Sequence, residues 1–430
     1  MAGALGACSA AGSAPPKVDT QVDASPQKLV LPPKADASAE RRDGGAHDAA
    51  VDAGWDATAA CSAADASSEL TCGTLTFAKS AATTRPRNHH VTLTASVGSG
   101  TMLYAVAGVN DDAPIDYVDR VPIAADGTIG TWVTEPPLPV ASGGLVGDVV
   151  SGVLVVAGGT TPSGVTDQAY SSVIQADGSL AAWQPAGTVL EPRMHASSMS
   201  RGNTMWILGG FDNQTVYGDI VSATVQADGT VSAWAPAGML PGPRSHFSLT
   251  LLDDYVYIAG GLSVSAFDEP PDLSDVWRGQ IEADGTVGDW TQMTSLLIAE
   301  ATHASFSYGG YLYVCGGIND VPAQEDRCWR SPVLADRTLG AFAEVASMPI
   351  ARGHVHQMPV IGHDVYSIGG AIDFNLDSTS EIDVGTFETD ASKMPGPAAP
   401  RMPRAIQAGP KHHGAKCHLG TSPQPMGGGR

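Results

Sequence analysis

The apolar positions of this chain fall in short blocks that repeat. Val153-Leu154-Val155-Val156-Ala157 runs into Gly158-Gly159, and Met205-Trp206-Ile207-Leu208 runs into Gly209-Gly210. The same figure returns as Tyr255-Val256-Tyr257-Ile258-Ala259 before Gly260-Gly261, as Tyr311-Leu312-Tyr313-Val314-Cys315 before Gly316-Gly317, and as Val365-Tyr366-Ser367-Ile368 before Gly369-Gly370. A degenerate first copy reads Leu103-Tyr104-Ala105-Val106-Ala107-Gly108-Val109, and successive copies are 50 to 56 residues apart. Each block is apolar on both alternating faces, which predicts a strand covered from both sides.

A second pattern runs in step with the first. Asp126-Gly127, Asp177-Gly178, Asp228-Gly229 and Asp284-Gly285 are each followed by a tryptophan: Trp132, Trp183, Trp234 and Trp290. The fifth copy degrades to Asp336-Arg337, with Phe342 at the aromatic position. Asp-Gly between two apolar strands predicts a tight hairpin, because both residues tolerate positive φ. Two anchors in register over five or six copies of about 50 residues predict the blades of a β-propeller. Within a blade, strand a follows a histidine, strand b ends at Gly-Gly, strand c leads into Asp-Gly and strand d carries the aromatic. The tryptophans and strand-b tyrosines are expected to pack between blades.

A third motif, Pro-Arg-x-His, stands where strand d turns into strand a. It reads Pro86-Arg87-Asn88-His89, Pro192-Arg193-Met194-His195 and Pro243-Arg244-Ser245-His246, while Arg352 and His354 keep the pair after Ala351. In the fifth copy His303 remains, with Glu300 or Ala301 near the arginine position; the second copy loses both residues in Pro139-Val140-Ala141-Ser142. The Gly-Gly, the downstream aromatic and the Pro-Arg-x-His together resemble the Kelch-repeat family over about three-quarters of the chain. That resemblance implies an all-β fold, a six-bladed Kelch-type propeller.

Ring closure is the irregular point. The sixth copy runs through Glu381-Ile382-Asp383-Val384 and Phe387 to Asp390 with no strand d after it, while Gly73-Thr74-Leu75-Thr76-Phe77-Ala78 stands where a strand d would precede the first strand a. The N-terminal segment is therefore expected to complete the sixth blade, which would leave no open edge.

Composition adds the flanks. Residues 1–8 hold Leu5-Gly6-Ala7-Cys8, which resembles a bacterial lipobox with the preceding signal regions missing, so Cys8 is the expected lipidation site. Residues 9–70 are rich in Ala, Asp, Pro and Ser and read as a flexible tether. The propeller is expected over 71–390, and 391–430, without Asp or Glu, as a disordered tail. The net charge of −22 makes nucleic acid an unfavourable partner, and no apolar run reaches a membrane span, which leaves a lipid anchor as the only membrane contact. Cys315 and Cys328 fall on neighbouring antiparallel strands and Cys61 and Cys72 flank the propeller entry, so two disulfides are expected in an exported cell-envelope, periplasmic or extracellular protein.

Candidate chemistry gathers at one end of the propeller, where the d–a and b–c loops meet. The expected ligand-binding residues are Arg87, His89, Arg193, His195, Arg244, His246, Arg352 and His354 from the first set of loops. The b–c loops add Asp111, Asp212, Asp268, Asp320 and Asp373, and also carry Asp112, Asp167 and Glu269. Variable loops on a rigid repeat scaffold are where recognition resides. A side chain repeated in most blades also serves the blade itself, here through Arg–carboxylate pairing. The leading expectation is a recognition module for a protein or glycan, with no cofactor and no metal. The alternative is a sugar-active propeller enzyme that resembles sialic-acid mutarotases or galactose oxidase, whose copper site uses Tyr and His ligands and a Tyr–Cys crosslink. Converging Arg and acid in a deep central pocket would favour the enzyme.

Overall fold

The computed structural model describes residues 74–388 apart from 84, 265–272, 320–322 and 374. Every regular element among them is a strand. The described strands make four four-stranded sheets and one sheet of eight, besides two short loop pairings. The eight divide into two four-stranded units that touch through a single parallel bridge, Gly238 to Val287. Each unit is antiparallel, and all but the last are meanders in chain order, such as Ser197–Arg201, Thr204–Leu208, Asp219–Thr224 and Ala235–Met239. This is a propeller-like, all-β arrangement, with one copy of the repeat per unit.

Strand b sits inside because its residues leave no polar face. All five residues of Val153–Ala157 are buried, as are all five of Tyr311–Cys315. Its aromatics fasten neighbouring units as well as packing between them. The Tyr104 hydroxyl donates to the Gly178 carbonyl (2.7 Å), Trp206 Nε1 to Gly285 (2.8 Å), the Tyr257 hydroxyl to Arg337 (2.7 Å) and the Tyr366 hydroxyl to Gly127 (3.0 Å). Each acceptor is the c–d turn of the next unit. In those turns the Asp carboxylate accepts from the N–H two residues on, as Asp228 does from Thr230 at 2.9 Å. The fifth copy keeps this geometry although Arg337 must hold a φ of 66° where the others have glycine. A non-glycine residue in that region costs about 1–2 kcal/mol.

The N-terminal strand completes the last unit, as its sequence position implies. Thr74–Ala82 pairs antiparallel with Glu381–Glu388, setting Leu75 opposite Phe387 and Phe77 opposite Gly385. The ends also meet where the Gly370 N–H donates to the Arg87 carbonyl at 2.9 Å. Cys315 and Cys328 lie opposite each other on adjacent strands and are disulfide-bonded. The expected features at Cys8, Cys61 and Cys72, and those of 1–70 and 391–430, lie outside the described residues.

Candidate functional site

The d–a loops bring six equivalent residues to the axis, one from each copy: His89, Gly144, His195, His246, Thr302 and His354. All six are left-handed, with φ of 52°, 66°, 50°, 57°, 60° and 55°. Their backbones form a closed ring. Each N–H donates to the carbonyl of the preceding member at 2.8–3.2 Å, and His89 closes the circle on His354. A tight turn with its N–H and C=O both aimed at neighbours requires the left-handed conformation, which Gly144 takes without strain and the other five do not.

On this ring the imidazoles stack. The His89 and His354 rings are 3.8 Å apart and the His195 and His246 rings 3.9 Å apart; the two pairs meet edge to face at 4.9 Å. His356 lies against His195 at 5.4 Å. Burial, and after it the neighbouring imidazoles, lowers the pKa of all four ring histidines well below the ordinary 6.5. Neutral rings stacked face to face do not converge their nitrogens on a point. Accordingly, no group of three or more His, Cys, Asp or Glu among the described residues is placed to hold a metal. The ring also corrects the alignment of the fifth copy. Thr302, not His303, stands at the histidine position, and His303 matches His90, one residue further on.

The arginines two residues before the ring positions are interior groups, 0–3% exposed. Arg193 holds both oxygens of Asp219 (3.0 and 2.9 Å) and the Gly209 carbonyl (3.0 Å). Arg244 holds Asp275 in the same way, at 3.1 Å to each oxygen. Arg352 donates to Asp383 (2.6 Å) and the Gly369 carbonyl (2.7 Å), and Arg87 pairs with Asp119. The carbonyls of these arginines accept from the second Gly of the preceding copy, as Gly159 N–H to Arg193 at 2.8 Å shows. Each arginine thus binds its own blade by its side chain and the previous blade by its backbone. The Arg193–Asp219 and Arg244–Asp275 pairs are bidentate, and all four pairs are charge-assisted and strong. Their acidic partners on strand c were not foreseen. The Arg-to-Asp offset varies with the b–c loop, so only a lone acid in an apolar strand could have signalled them.

The loop acids divide. Asp212 accepts the N–H groups of Gln214 and Thr215 (2.9 and 2.7 Å) and the Tyr217 hydroxyl (2.7 Å). Slight burial would raise its pKa, but these donors outweigh that and hold it low. Asp373 accepts from the Asp377 N–H at 3.0 Å. Both therefore shape their own loops. Asp111 is exposed, in a left-handed turn beside the Asn110 amide. Asp268 and Asp320 lie outside the described residues.

Two copies depart from the Arg–Asp arrangement, each differently. In the fifth, Glu300 takes the arginine position, fully buried, and accepts from Trp329 Nε1 at 3.2 Å. Arg327 begins strand c where the third copy has Asp219, and pairs with Glu325 at 2.5 Å, so the polarity is reversed. In the second copy both charges of the pair are gone. Ser142 replaces Arg193, Gln168 replaces Asp219, and Thr166 replaces Tyr217, over whose ring the Arg193 guanidinium lies at 4.8 Å. The backbone register proves the equivalence. Gly158 N–H donates to Gln168 as Gly209 does to Asp219, both at 3.0 Å, and Thr166 N–H donates to Gly159 (3.0 Å) as Tyr217 does to Gly210 (2.8 Å). Where the three large groups are missing, a cavity of about 180 Å³ opens, lined by Ser142, Thr166 and Gln168 and walled by Leu138, Leu145 and Val156.

Comparison with known proteins agrees with the repeat fold. The model of the KLHDC2/KLHL20/DRC7 Kelch-repeats domain matches residues 146–370, more than half of the chain. Beta-scruin of Limulus polyphemus is 25% identical over 205 residues, 45% of this chain and 22% of that protein. Kelch-like protein 41 of Mus musculus is 27% identical over 131 residues, 30% of this chain and 20% of its own length. The chain thus spans about a fifth of the length of these curated relatives. The solved structure described as "Structure of YjhT" superposes with a TM-score of 0.56 at 9% identity, covering 72% of this chain and 99% of that one, a likeness of fold alone. Repeat pattern, strand topology and family match converge: the chain belongs to the Kelch-repeat family.

Proposed function

We propose that this protein is an exported recognition module that binds a protein partner with the end of the propeller formed by the b–c and d–a loops. A Kelch-repeat propeller is in general a protein-interaction scaffold. The observation that carries the assignment to this end is its two-layer build. The repeated Arg–Asp pairs and the histidine ring form a locked base, while the loops above differ from copy to copy in length and chemistry, as recognition surfaces on repeat scaffolds do. The four arginines are already committed inside the blades and the axis carries neutral imidazoles, which favours recognition over chemistry on a sugar acid. Export is supported by the Cys315–Cys328 disulfide, which belongs in an oxidising compartment, and by the Cys8 context, which fits a lipid anchor.

The test is to screen the full chain in parallel against a displayed random-peptide library, a glycan array and free sugars. The expected result is enrichment of peptides whose binding is lost when b–c loop residues such as Asp111 are substituted. Turnover of a free sugar without peptide enrichment would overturn the reading. Incorporation of labelled palmitate, abolished by Cys8→Ala, checks the anchor.

A further inference from the structure

We propose that the cavity of the second repeat is a socket for a tyrosine side chain of the protein partner. The inference rests on the proposed recognition by the loop end and names its anchoring point. In the third repeat the equivalent volume is filled by a planar guanidinium lying on a phenol ring and paired to a carboxylate. The second repeat removes all three groups together while keeping the backbone that surrounds them. One smaller residue would leave a packing defect. Three coordinated replacements, each uncharged, leave a shaped space rimmed by the exposed Val140 and Ser163.

Size, charge and hydrogen-bonding capacity select the occupant. About 180 Å³ slightly exceeds a protein cavity of about 150 Å³ that admits benzene, so one ring fits. No lining residue carries a charge, and a cation or anion left unpaired there would be costly. The walls formed by Leu138, Leu145 and Val156 suit the faces of an aromatic ring. The polar edge offers acceptors, together with the Tyr170 hydroxyl, which can donate or accept. Ser142 Oγ already donates to the Gly158 carbonyl (3.1 Å), which leaves its lone pairs; Thr161 Oγ1 donates to Gly164 (2.9 Å) and accepts from the Ser163 N–H (3.1 Å), which leaves one lone pair. The side chain of Gln168 donates one amide N–H to Asp167 (2.9 Å), which leaves its carbonyl oxygen as an acceptor and its second N–H as a donor. An uncharged ring bearing one O–H donor matches this lining, and among protein side chains that is tyrosine. Tyrosine is also the residue type that anchors protein interfaces at low entropic cost.

The experiment titrates the full chain with N-acetyl-tyrosinamide, monitored by saturation-transfer NMR. N-acetyl-phenylalaninamide, N-acetyl-argininamide and a methyl pyranoside serve as parallel probes. A variant carrying Ser142→Arg, Thr166→Tyr and Gln168→Asp rebuilds the third repeat's packing and closes the socket. Thr166→Tyr alone is the milder filling, should the triple variant fail to fold. The expected result is saturable binding of tyrosinamide, weaker binding of the phenylalanine analogue, and a loss of about tenfold or more in affinity in a folded filled variant. Equal binding to wild type and filled variant overturns the proposal, as does binding of argininamide or the pyranoside in preference to tyrosinamide. If tyrosinamide fails while library peptides still bind the loop face, the socket falls and the recognition reading stands.

Discussion

Acidification from pH 7 to pH 5 strains the histidines at the loop end of the propeller. His303 is 1% exposed, and burial drops its pKa from 6.5 to about 4. The unfolded chain takes up a proton near pH 6.5 that the folded chain refuses until about pH 4. The stability contributed by the neutral ring is therefore complete above pH 6.5 and is lost as the pH falls toward the folded value. Linkage at about 1.4 kcal/mol per pH unit makes the loss about 2 kcal/mol between pH 7 and 5 for this residue alone. His89, His90, His195, His246 and His354 are all lowered well below 6.5, chiefly by burial, and act in the same direction. Asp148 opposes them. Burial raises it to about 6, so it takes up a proton more readily when folded and returns about 1 kcal/mol over the same range. Against a total stability of about 5–15 kcal/mol, the net loss is large. Urea unfolding at pH 7.5, 6 and 5 should show the midpoint falling steeply with an unchanged m value. His303→Gln should reduce the slope below pH 6.5 by up to one proton. A midpoint that is flat or rises from pH 7 to 5 would refute the reasoning, because it would mean the imidazoles reach solvent.

Further outcomes follow from the pairs that hold the blades. Arg352→Met leaves Asp383 without its partner in the interior and should cost about 3–5 kcal/mol in urea unfolding, most of it recovered by adding Asp383→Leu. Reducing the disulfide, or replacing Cys315 and Cys328 by serine, frees a loop with a sequence separation of 13 residues and should cost about 3 kcal/mol, read as a lower Tm in reductant. Deleting residues 1–82 uncovers Glu381–Glu388 as an edge strand and removes Leu75 from the core; size-exclusion chromatography should then show oligomers, and a cooperative monomer would argue against closure by this strand.

Much of the fold was legible because it is written in repeated, local chemistry. Gly-Gly after an apolar run, Asp-Gly at the c–d turn, and an orphan strand at Thr74 each have a short-range physical meaning and lie where the pattern implies, while Trp132, Trp183, Trp234 and Phe342 stand directly before strand d and only Trp290 lies within it. The Cys315–Cys328 bond was legible for the same reason, since strands b and c had to be antiparallel neighbours. What stayed hidden depends on register at single-residue precision or on long loops. A histidine at 303 looked equivalent to His89, but the left-handed residue is Thr302, and no composition rule separates neighbouring positions in Ala301-Thr302-His303. The Asp partners sit 26 to 32 residues beyond their arginines, because the b–c loops differ in length. The cavity of the second repeat was visible only as a lost motif. Its meaning required knowing that Thr166 and Gln168 occupy the places of Tyr217 and Asp219. The arginines carried two readings, ligand contact and Arg–carboxylate pairing within the blade; they lie beneath the loops, paired with strand-c acids.

The most direct test of the account is hydrogen–deuterium exchange of the full chain with and without a peptide selected from the library. Recognition by the loop end predicts protection concentrated in the b–c and d–a loops, strongest around Leu138–Ser142 and Thr160–Gln168, with the c–d turns at Asp126, Asp177, Asp228, Asp284 and Asp336 unchanged. Protection of those turns with the loop end exchanging as before would contradict it.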